Sequence, residues 1–302
     1  MEKRCELCPR RCGAVREKGE RGACGMGDAV RVARAALHPF EEPPISGVRG
    51  SGTVFFAGCS LGCIFCQNKS IRGSEAGVAL THEQLCRLLL AVQDAGAHNI
   101  NLVTPTHFAD HIAAALQEVK PLLHVPVVYN CGGYERVETL ALLEGLVDVY
   151  LPDFKYSSHD LACAYSAAPD YAEHAANALA EMYRQTGDVR FDEDGMLISG
   201  IMVRHLVLPG SRKDSMAVLD RVAKTVPVHG VCLSLMRQYT PAFAPADAPV
   251  CLHRTVTSFE YESVMAHAVE LGFEGFFQGR ESASDTYTPD FKKGGILQKI
   301  FE

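Results

Sequence analysis

The sequence predicts an α/β protein: a partial (β/α)6 barrel over residues 51–302, preceded by a small cysteine-rich metal-binding module and linker over residues 1–50. From residue 52 onward, short apolar runs alternate with helical patterns, and about six such units fit before residue 280. Alternating strands and helices indicate βαβ units and a parallel sheet. Six units are fewer than the eight that a closed barrel requires, so the barrel should be open.

The predicted strands are short apolar segments, at residues 53–57, 99–103, 125–130, 147–151, 198–208, 231–236 and 275–278. Predicted helices cover residues 107–119, 137–146 and 171–184, and a further helix runs to about residue 95. That helix should start at Thr81, because Gln84 three residues later completes a capping box. Functional groups of parallel α/β folds gather at the carboxyl ends of the strands, so residues there are the first candidates.

Composition excludes several classes of protein. The 302 residues are 47% apolar and 22% charged, which is typical of a soluble globular chain. No apolar stretch approaches the roughly 20 residues of a membrane span, and the N-terminus has no apolar signal core, so we expect a cytoplasmic protein. A net charge of −7 argues against general nucleic-acid binding.

Seven of the twelve cysteines fall within the first 66 residues, in two sets. Such clustering in a cytoplasmic chain points to metal or redox chemistry rather than disulfides. The second set, Cys59, Cys63 and Cys66, has the spacing C-x3-C-x2-C directly after the first predicted strand.

Three thiolates so close in sequence can converge on one iron–sulfur cluster. A 4Fe-4S cluster ordinarily takes four cysteines, so three would leave one iron open to a ligand that is not protein. The alternative is a zinc knuckle or a redox thiol set. Zinc motifs more often pair C-x2-C with a distant second pair, which favours the cluster.

The first set consists of four cysteines, Cys5, Cys8, Cys12 and Cys24. Four convergent cysteines can close a tetrahedral zinc site or hold a second 4Fe-4S cluster. We prefer structural zinc, because an irregular segment of this length needs a metal to fold. An iron–sulfur electron relay is the alternative.

Two strand ends contain polar residues suited to a small ligand. Thr104 and Thr106 follow the second strand and offer hydroxyl and carbonyl acceptors, although a threonine before a helix also serves as an N-cap. Asn130 ends the third strand and precedes Gly132 and Gly133, which let the backbone approach a ligand closely. The alternative there is a βα turn that needs positive φ.

Charged residues lie at the end of the fourth predicted strand and within the fifth. Asp153 and Lys155 are two apart and point to the same face, an arrangement that suits a zwitterionic ligand or a surface ion pair. Arg204 lies inside an apolar strand, where a guanidinium needs a carboxylate partner, from a ligand or from a structural salt bridge. Gln238, after the sixth strand, is a weaker candidate. No side chain is assigned a catalytic role.

Together these motifs resemble the radical S-adenosylmethionine (SAM) superfamily, and within it the group similar to pyruvate formate-lyase activating enzyme. The resemblance covers residues 1–280. It is carried by Cys5-x2-Cys8-Pro9-x2-Cys12, Gly58-Cys59-x3-Cys63-x2-Cys66-Gln67-Asn68, Thr104-Pro105-Thr106-His107, Leu151-Pro152-Asp153-Phe154-Lys155-Tyr156 and Arg204-His205-Leu206-Val207-Leu208-Pro209-Gly210.

The resemblance implies that the methionine amino and carboxylate groups of SAM bind the open iron of a 4Fe-4S cluster. An electron from the cluster then cleaves SAM into methionine and a 5′-deoxyadenosyl radical. It further implies that Arg204 binds the SAM carboxylate and that Asp153 and Lys155 contact the methionine part. Thr104 and Thr106 stand where relatives meet the SAM amino group, Asn130 stands in a segment that contacts SAM, and Gln238 stands near adenine or substrate. Such an oxygen-sensitive oxidoreductase needs a reductant such as flavodoxin or ferredoxin.

Four departures from the activating enzymes leave the substrate open. There is no Gly-Gly-Glu segment after the second strand, Asn130 stands in place of an aspartate, Thr240 stands where a histidine follows the tyrosine, and extra cysteines lie near the N-terminus. Three hypotheses therefore stand. The chain could activate a glycyl-radical enzyme by abstracting hydrogen from a backbone glycine. It could instead modify a small molecule or a nucleobase. The third hypothesis is a non-catalytic iron–sulfur or zinc protein.

Overall fold

A ten-stranded sheet forms the centre of the computed structural model, which describes residues 2–279, 282, 289–291 and 293–301. Its strands are β1 (Val30–His38), β2 (Ser51–Phe56), β3 (Val78–Leu80), β4 (Ile100–Val103), β5 (Val127–Cys131), β6 (Val149–Pro152), β7 (Arg190–Phe191), β8 (Leu197–Leu206), β9 (Cys232–Met236) and β10 (Gly275–Phe277). They follow the order β10-β9-β8-β6-β5-β4-β2-β1-β3, and β7 pairs with β8.

Seven strands run parallel to one another: β2, β4, β5, β6, β8, β9 and β10. At one edge of the sheet, β1 pairs antiparallel with both β2 and β3. The helices are α1 (Pro43–Ser46), α2 (His82–Asp94), α3 (Ala109–Val119), α4 (Val137–Leu140), α5 (His159–Ser166), α6 (Tyr171–Thr186), α7 (Arg212–Thr225) and α8 (Ser258–Glu270). The predicted α/β class with a parallel sheet is confirmed. No helix in the described ranges combines the length and apolar character that a membrane crossing requires.

Local sequence signals explain most element boundaries. The capping box predicted for α2 is present, with the Thr81 hydroxyl accepting from the Gln84 N–H and the Gln84 side chain accepting from the Thr81 N–H. The central strands β4, β5 and β6 are buried along their whole length, as expected for parallel strands covered on both faces.

Two sequence expectations need correction. Residues 1–50, expected to be an irregular segment, contain a nine-residue strand, β1, which pairs antiparallel with β2. The division into two modules stays a prediction. The helix predicted over residues 137–146 is only the four-residue α4 followed by a 3-10 turn, and Gly145 then takes a φ of 76°, which favours glycine.

One face of the sheet packs against α1, the short helix in the connection between β1 and β2, which we call the plug. Ile45 of α1 is fully buried there among apolar side chains of β5, β6, β8 and β9: Val128, Val149, Leu151, Leu197, Met202 and Cys232. Side chains two residues further along these strands share the same face. This inner face therefore changes from apolar at the plug to polar at Asn130, Arg204 and Ser234.

We expect Ile45→Ala to lower the free energy of unfolding by about 2–5 kcal/mol, because it leaves a cavity beneath four strands that cannot easily close. Val48→Ala, three residues on, is the matched control, because Val48 is 99% exposed and should change stability little. Anaerobic denaturant unfolding of both variants measures the difference. Equal stabilities would show that the plug does not support the sheet.

Candidate functional site

The three cysteines of the second set lie on the loop that leaves the carboxyl end of β2. The Cys59 sulfur accepts a hydrogen bond from the Leu61 N–H at 3.4 Å. The Cys63 sulfur accepts one from the Ser166 hydroxyl at 3.0 Å, and Arg72 donates to the Cys63 carbonyl at 2.8 Å. In both contacts the sulfur accepts the hydrogen bond, as a thiolate would.

These thiols are poor acids without a cation beside them. Burial raises the pKa of Cys59, and it raises the pKa of Cys66 to about 12, while the charge of Lys155 acts in the opposite direction at both. Metal binding requires the thiolate form and supplies the compensating charge. Thiols that are partly shielded from water and grouped near one lysine therefore fit a bound metal centre better than a set of reactive free thiols.

The three sulfur donors on this loop fit an iron–sulfur centre. A 4Fe-4S cluster ordinarily takes four cysteines, so Cys59, Cys63 and Cys66 would leave one iron open to a ligand that is not protein. A structural zinc site is ordinarily closed by four protein ligands, and this loop supplies three.

A partly buried cluster of charges lies near this loop at the ends of β6 and β8. Asp153 accepts hydrogen bonds from Arg204 Nε at 2.9 Å and from Lys155 Nζ at 2.5 Å. Arg204 Nη2 donates to Asn130 Oδ1 at 2.6 Å. The structure thus brings together the four polar residues predicted at the ends of the third, fourth and fifth parallel strands.

The charges of this cluster stabilise one another. Burial alone would raise the pKa of the Asp153 carboxyl, but the positive charges of Arg204 and Lys155 outweigh it and hold the pKa below its usual value. Burial opposes the charge on Lys155 as well, and the Asp153 carboxylate more than compensates, so the pKa of Lys155 is raised. Asp153 is therefore an anion, and both bases stay cationic.

Two glutamates that sequence analysis treated as part of a connecting loop complete the cluster. Glu41 lies 3.5 Å from Arg204 Nη1, and Glu42 accepts a hydrogen bond from the Ser234 hydroxyl at 3.2 Å. Burial and the neighbouring Glu42 charge raise the pKa of Glu41 to about 7. The only sequence signal was a pair of acids directly before Pro43 and Pro44, in a segment otherwise typical of a linker.

Three other predicted residues have different surroundings. Thr104 adopts φ of 58°, unusual for a residue other than glycine, and its N–H donates to the Asn130 carbonyl. The Thr106 hydroxyl donates to Glu135 Oε1 at 2.7 Å. Gln238 accepts from the Gln278 amide at 3.0 Å, beyond the ends of β9 and β10. Their predicted contact with a cofactor stays a prediction.

Glu135 is a buried carboxyl that sequence analysis did not identify. Besides the Thr106 hydroxyl, it accepts from the Tyr129 hydroxyl at 3.3 Å, and it is 1% exposed. Burial raises its pKa to about 7, although the hydrogen bonds from Thr106, Tyr129 and Cys131 act in the opposite direction. This network holds the segment after β5 against the turn after β4.

The four cysteines of the first set lie close to one another. A Cβ atom at Gly22 would lie 3.2 Å from Cys12 Sγ and 3.5 Å from Cys24 Sγ, so these two thiols flank one glycine. The buried Arg16 donates to Cys24 Sγ at 3.3 Å. Burial, together with charge at the Cys12 and Cys24 positions, raises the pKa of Cys5.

Cys8 completes this set. Burial raises its pKa to about 12, and charge at the Cys24 and Cys5 positions adds to the shift. The Cys5 thiol therefore lies within electrostatic range of Cys12 and Cys24, and the Cys8 thiol within range of Cys24 and Cys5. Their binding of one metal centre stays a prediction.

Comparison with known proteins gives distant similarities. No family model matches the sequence. A curated protein of Methanocaldococcus jannaschii, described as uncharacterized, is 27% identical over 283 residues, covering 90% of this chain and 76% of that protein.

Solved structures with a similar arrangement include three proteins of low sequence identity. Methylornithine synthase (PylB) has a TM-score of 0.47 at 13% identity, covering 80% of this chain and 78% of its own. SuiB of Streptococcus suis bound to S-adenosylmethionine has a TM-score of 0.47 at 12% identity, covering 73% and 48%. The FeFe-hydrogenase maturase HydG of Carboxydothermus hydrogenoformans has 0.45 at 12%, covering 79% and 55%.

We expect Glu135→Gln to stabilise the protein increasingly as the pH rises from about 5 to about 8. The folded carboxyl, with its pKa of about 7, binds a proton that the unfolded carboxyl, at its ordinary 4.5, has already lost. Wild-type stability therefore falls across this interval, whereas glutamine cannot ionise. The advantage should grow by about 2–3 kcal/mol between pH 5 and pH 8.

Denaturant unfolding of both proteins across this pH range measures the effect. Glu138→Gln, at an exposed position three residues on, is the control for the loss of one carboxylate. A difference that does not change with pH would contradict the shifted pKa of Glu135.

Proposed function

We propose that this chain is a radical SAM enzyme whose 4Fe-4S cluster is held by Cys59, Cys63 and Cys66. One observation carries the proposal: three sulfur donors follow β2, and Lys155 of the Asp153–Lys155–Arg204 cluster lies close enough for its charge to act on them. When bound, the cluster and SAM together would supply a 5′-deoxyadenosyl radical by one-electron cleavage of SAM. The remaining chemistry depends on how the side chains hold SAM.

Lys155 is the side chain best placed to bind the SAM carboxylate. Its ammonium group uses one donor on Asp153, and it lies close enough to Cys59, Cys63 and Cys66 for their charges to affect one another. An ammonium group has three donors, so two remain for an anionic ligand. Lys155 thus combines free donors with proximity to the predicted cluster.

Arg204 has a different role in this proposal from the one that the sequence resemblance implies. Three protein groups hold its guanidinium: Asp153, Asn130 and Glu41. It therefore fixes the orientation of the Asp153 carboxylate, and its two unused N–H donors can add to the binding of SAM.

For the substrate, we propose first a backbone glycine of a partner protein, following the resemblance to the activating enzymes. The support for this choice is the set of sequence motifs that the chain shares with that group. Appearance of a glycyl radical on a partner encoded nearby, after incubation with reduced enzyme and SAM, would support it. Transfer of deuterium from a labelled small molecule or nucleobase into 5′-deoxyadenosine would instead identify that molecule as the substrate.

Replacing Cys59, Cys63 and Cys66 together by alanine should abolish the formation of 5′-deoxyadenosine by anaerobically reconstituted, reduced protein. All three sulfur ligands of the proposed cluster are then gone. Cys163→Ser, an exposed cysteine in α5, is the matched control and should retain the activity. Chromatographic measurement of 5′-deoxyadenosine decides the result. Continued SAM cleavage by the triple variant would refute the assignment.

Lys155→Met should weaken SAM binding by roughly ten- to a hundredfold, because a charge-assisted hydrogen bond contributes about 1.5–3 kcal/mol. Asp153 keeps its contact with Arg204, so the variant leaves no unpaired carboxylate. Iron content should not change, because Lys155 is not a ligand. Anaerobic calorimetry with SAM measures the affinity, with the exposed Lys224→Met as control. An unchanged affinity would mean that Lys155 has only a structural role.

A further inference from the structure

Helices α2 and α3 bring together three side chains of the types that bind metal ions: His82 and Cys86 of α2, and Glu118 of α3. His82 Nε2 lies 3.0 Å from Glu118 Oε2 and 3.7 Å from Cys86 Sγ. The three atoms all lie within 4.8 Å of one another. A nitrogen, a sulfur and an oxygen donor therefore converge on one point.

Helix geometry explains why His82 and Cys86 face the same way. They are four residues apart, so they lie on one side of α2 about one turn from each other. The capping box of Thr81 and Gln84 fixes the first turn of the helix, in which His82 is the first residue. Two ligands at this spacing on one helix, completed by a ligand from another segment, form the zinc site of H-E-x-x-H proteins. The group here has the same plan, with cysteine as the second ligand.

The distances fit a single zinc ion. Zinc binds imidazole nitrogen at about 2.0–2.1 Å, carboxylate oxygen at about 2.0–2.2 Å and sulfur at about 2.3 Å. In tetrahedral geometry, bonds of these lengths place the ligand atoms roughly 3.3–3.6 Å from one another. The two distances from His82 Nε2 differ from this range by only a few tenths of an ångström. Small rotations of the side chains would complete the site.

Hydrogen bonding alone does not satisfy the three groups. His82 Nε2 faces both Glu118 and Cys86, and it carries at most one hydrogen, which can point to only one of them. The Cys86 thiol has a second, distant acceptor in the Ala115 carbonyl at 3.9 Å. A cation between the three side chains would interact with all of them at once.

Burial gives the group a fixed base and an open entrance. Cys86 is 5% exposed and packs within the main hydrophobic core. The side chains of His82 and Glu118 are 50% and 65% exposed. Three protein ligands leave the fourth position of a tetrahedral ion to water, as in zinc sites that are open to solvent. An ion can therefore enter and leave from the exposed side.

The donor set selects zinc among the common divalent ions. Magnesium and calcium prefer oxygen ligands, whereas imidazole and thiolate suit zinc. Open zinc sites combine histidine with cysteine or a carboxylate, and this group contains all three. It differs in this respect from the two all-cysteine sets.

We propose that His82, Cys86 and Glu118 form an exchangeable zinc site that joins α2 to α3. Binding replaces the thiol proton of Cys86 with the metal ion, and the proton passes to solvent. The ion links the beginning of α2 to the last turn of α3 and so stabilises the two helices against each other. The site lies on elements that carry neither cysteine set, and it does not depend on the function proposed above.

Alkylation of Cys86 tests the site at the level of one residue. The full chain, reconstituted anaerobically with iron and sulfide, is treated with iodoacetamide in the presence and absence of micromolar Zn²⁺, and peptide mass spectrometry follows each cysteine separately. Zinc should slow the modification of Cys86 by roughly tenfold or more, because a coordinated thiolate is shielded from the reagent. Cys163, exposed on α5, should react equally fast in both samples.

Two variants identify the ligands. In His82→Gln/Glu118→Gln both exposed ligands are gone, so zinc should no longer protect Cys86. In Glu83→Gln the protection should remain; Glu83 is the matched control, because it is an exposed acid in the same turn of α2. Protection that survives in the double variant would overturn the proposal, because zinc would then act from elsewhere. Equal alkylation of wild-type Cys86 with and without zinc would overturn it as well.

Zinc content gives a second measurement that does not depend on the reactivity of Cys86. After anaerobic dialysis against micromolar zinc, the wild type and Glu83→Gln should each hold about one zinc ion per chain more than Cys86→Ala and the double variant. Zinc bound by the other cysteines cancels in this difference. Equal zinc contents in all four proteins would contradict the site.

Discussion

The pairing of the Asp153 carboxylate with Arg204 and Lys155 is the interaction that fixes the side chains at the strand ends. It joins the end of β6 to β8 and, through Arg204, to Asn130 on β5. Burying these charges would be costly without full pairing. Pairing leaves each group charged and each side chain fixed. A ligand with both an ammonium and a carboxylate therefore meets groups of both signs whose positions are already determined.

The first fifty residues contribute to this arrangement from two directions. The cysteine-rich segment packs over the carboxyl end of β2 through Arg10 and the Cys24–Cys59 hydrogen bond. The connection from β1 to β2 fills the inner face of the sheet with Ile45 and brings Glu41 to Arg204. Part of the region expected to be a linker is thus built into the site.

Much of the fold could be predicted because its signals are local. Alternating apolar runs specify parallel strands, and the Thr81 capping box specifies where α2 begins. The grouping of Asn130, Asp153, Lys155 and Arg204 also follows from the sequence, since parallel strands end on one side of a sheet. Glu41 and Glu135 could not be found this way. Their roles depend on burial against residues distant in sequence, and neither has a characteristic spacing.

Strand β1 was missed for a related reason. Its sequence, Val-Arg-Val-Ala-Arg-Ala-Ala-Leu-His, mixes arginine with small residues, and its pairing with both β2 and β3 is a tertiary effect. Its two arginines are held by backbone carbonyls, of residues 75–77 for Arg31 and of Asp290 and Lys293 for Arg34. No property of the strand's own sequence predicts these partners.

The central claim is that the three-cysteine centre has an open iron that binds SAM beside Lys155. Pulsed electron–nuclear double resonance on the reduced protein tests this most directly, using SAM labelled with ¹⁵N in the amino group or with ¹³C in the carboxylate. The account predicts that both labels show magnetic coupling to the cluster, and that the coupling is lost when Cys59, Cys63 and Cys66 are replaced. A cluster spectrum that labelled SAM leaves unchanged would contradict it.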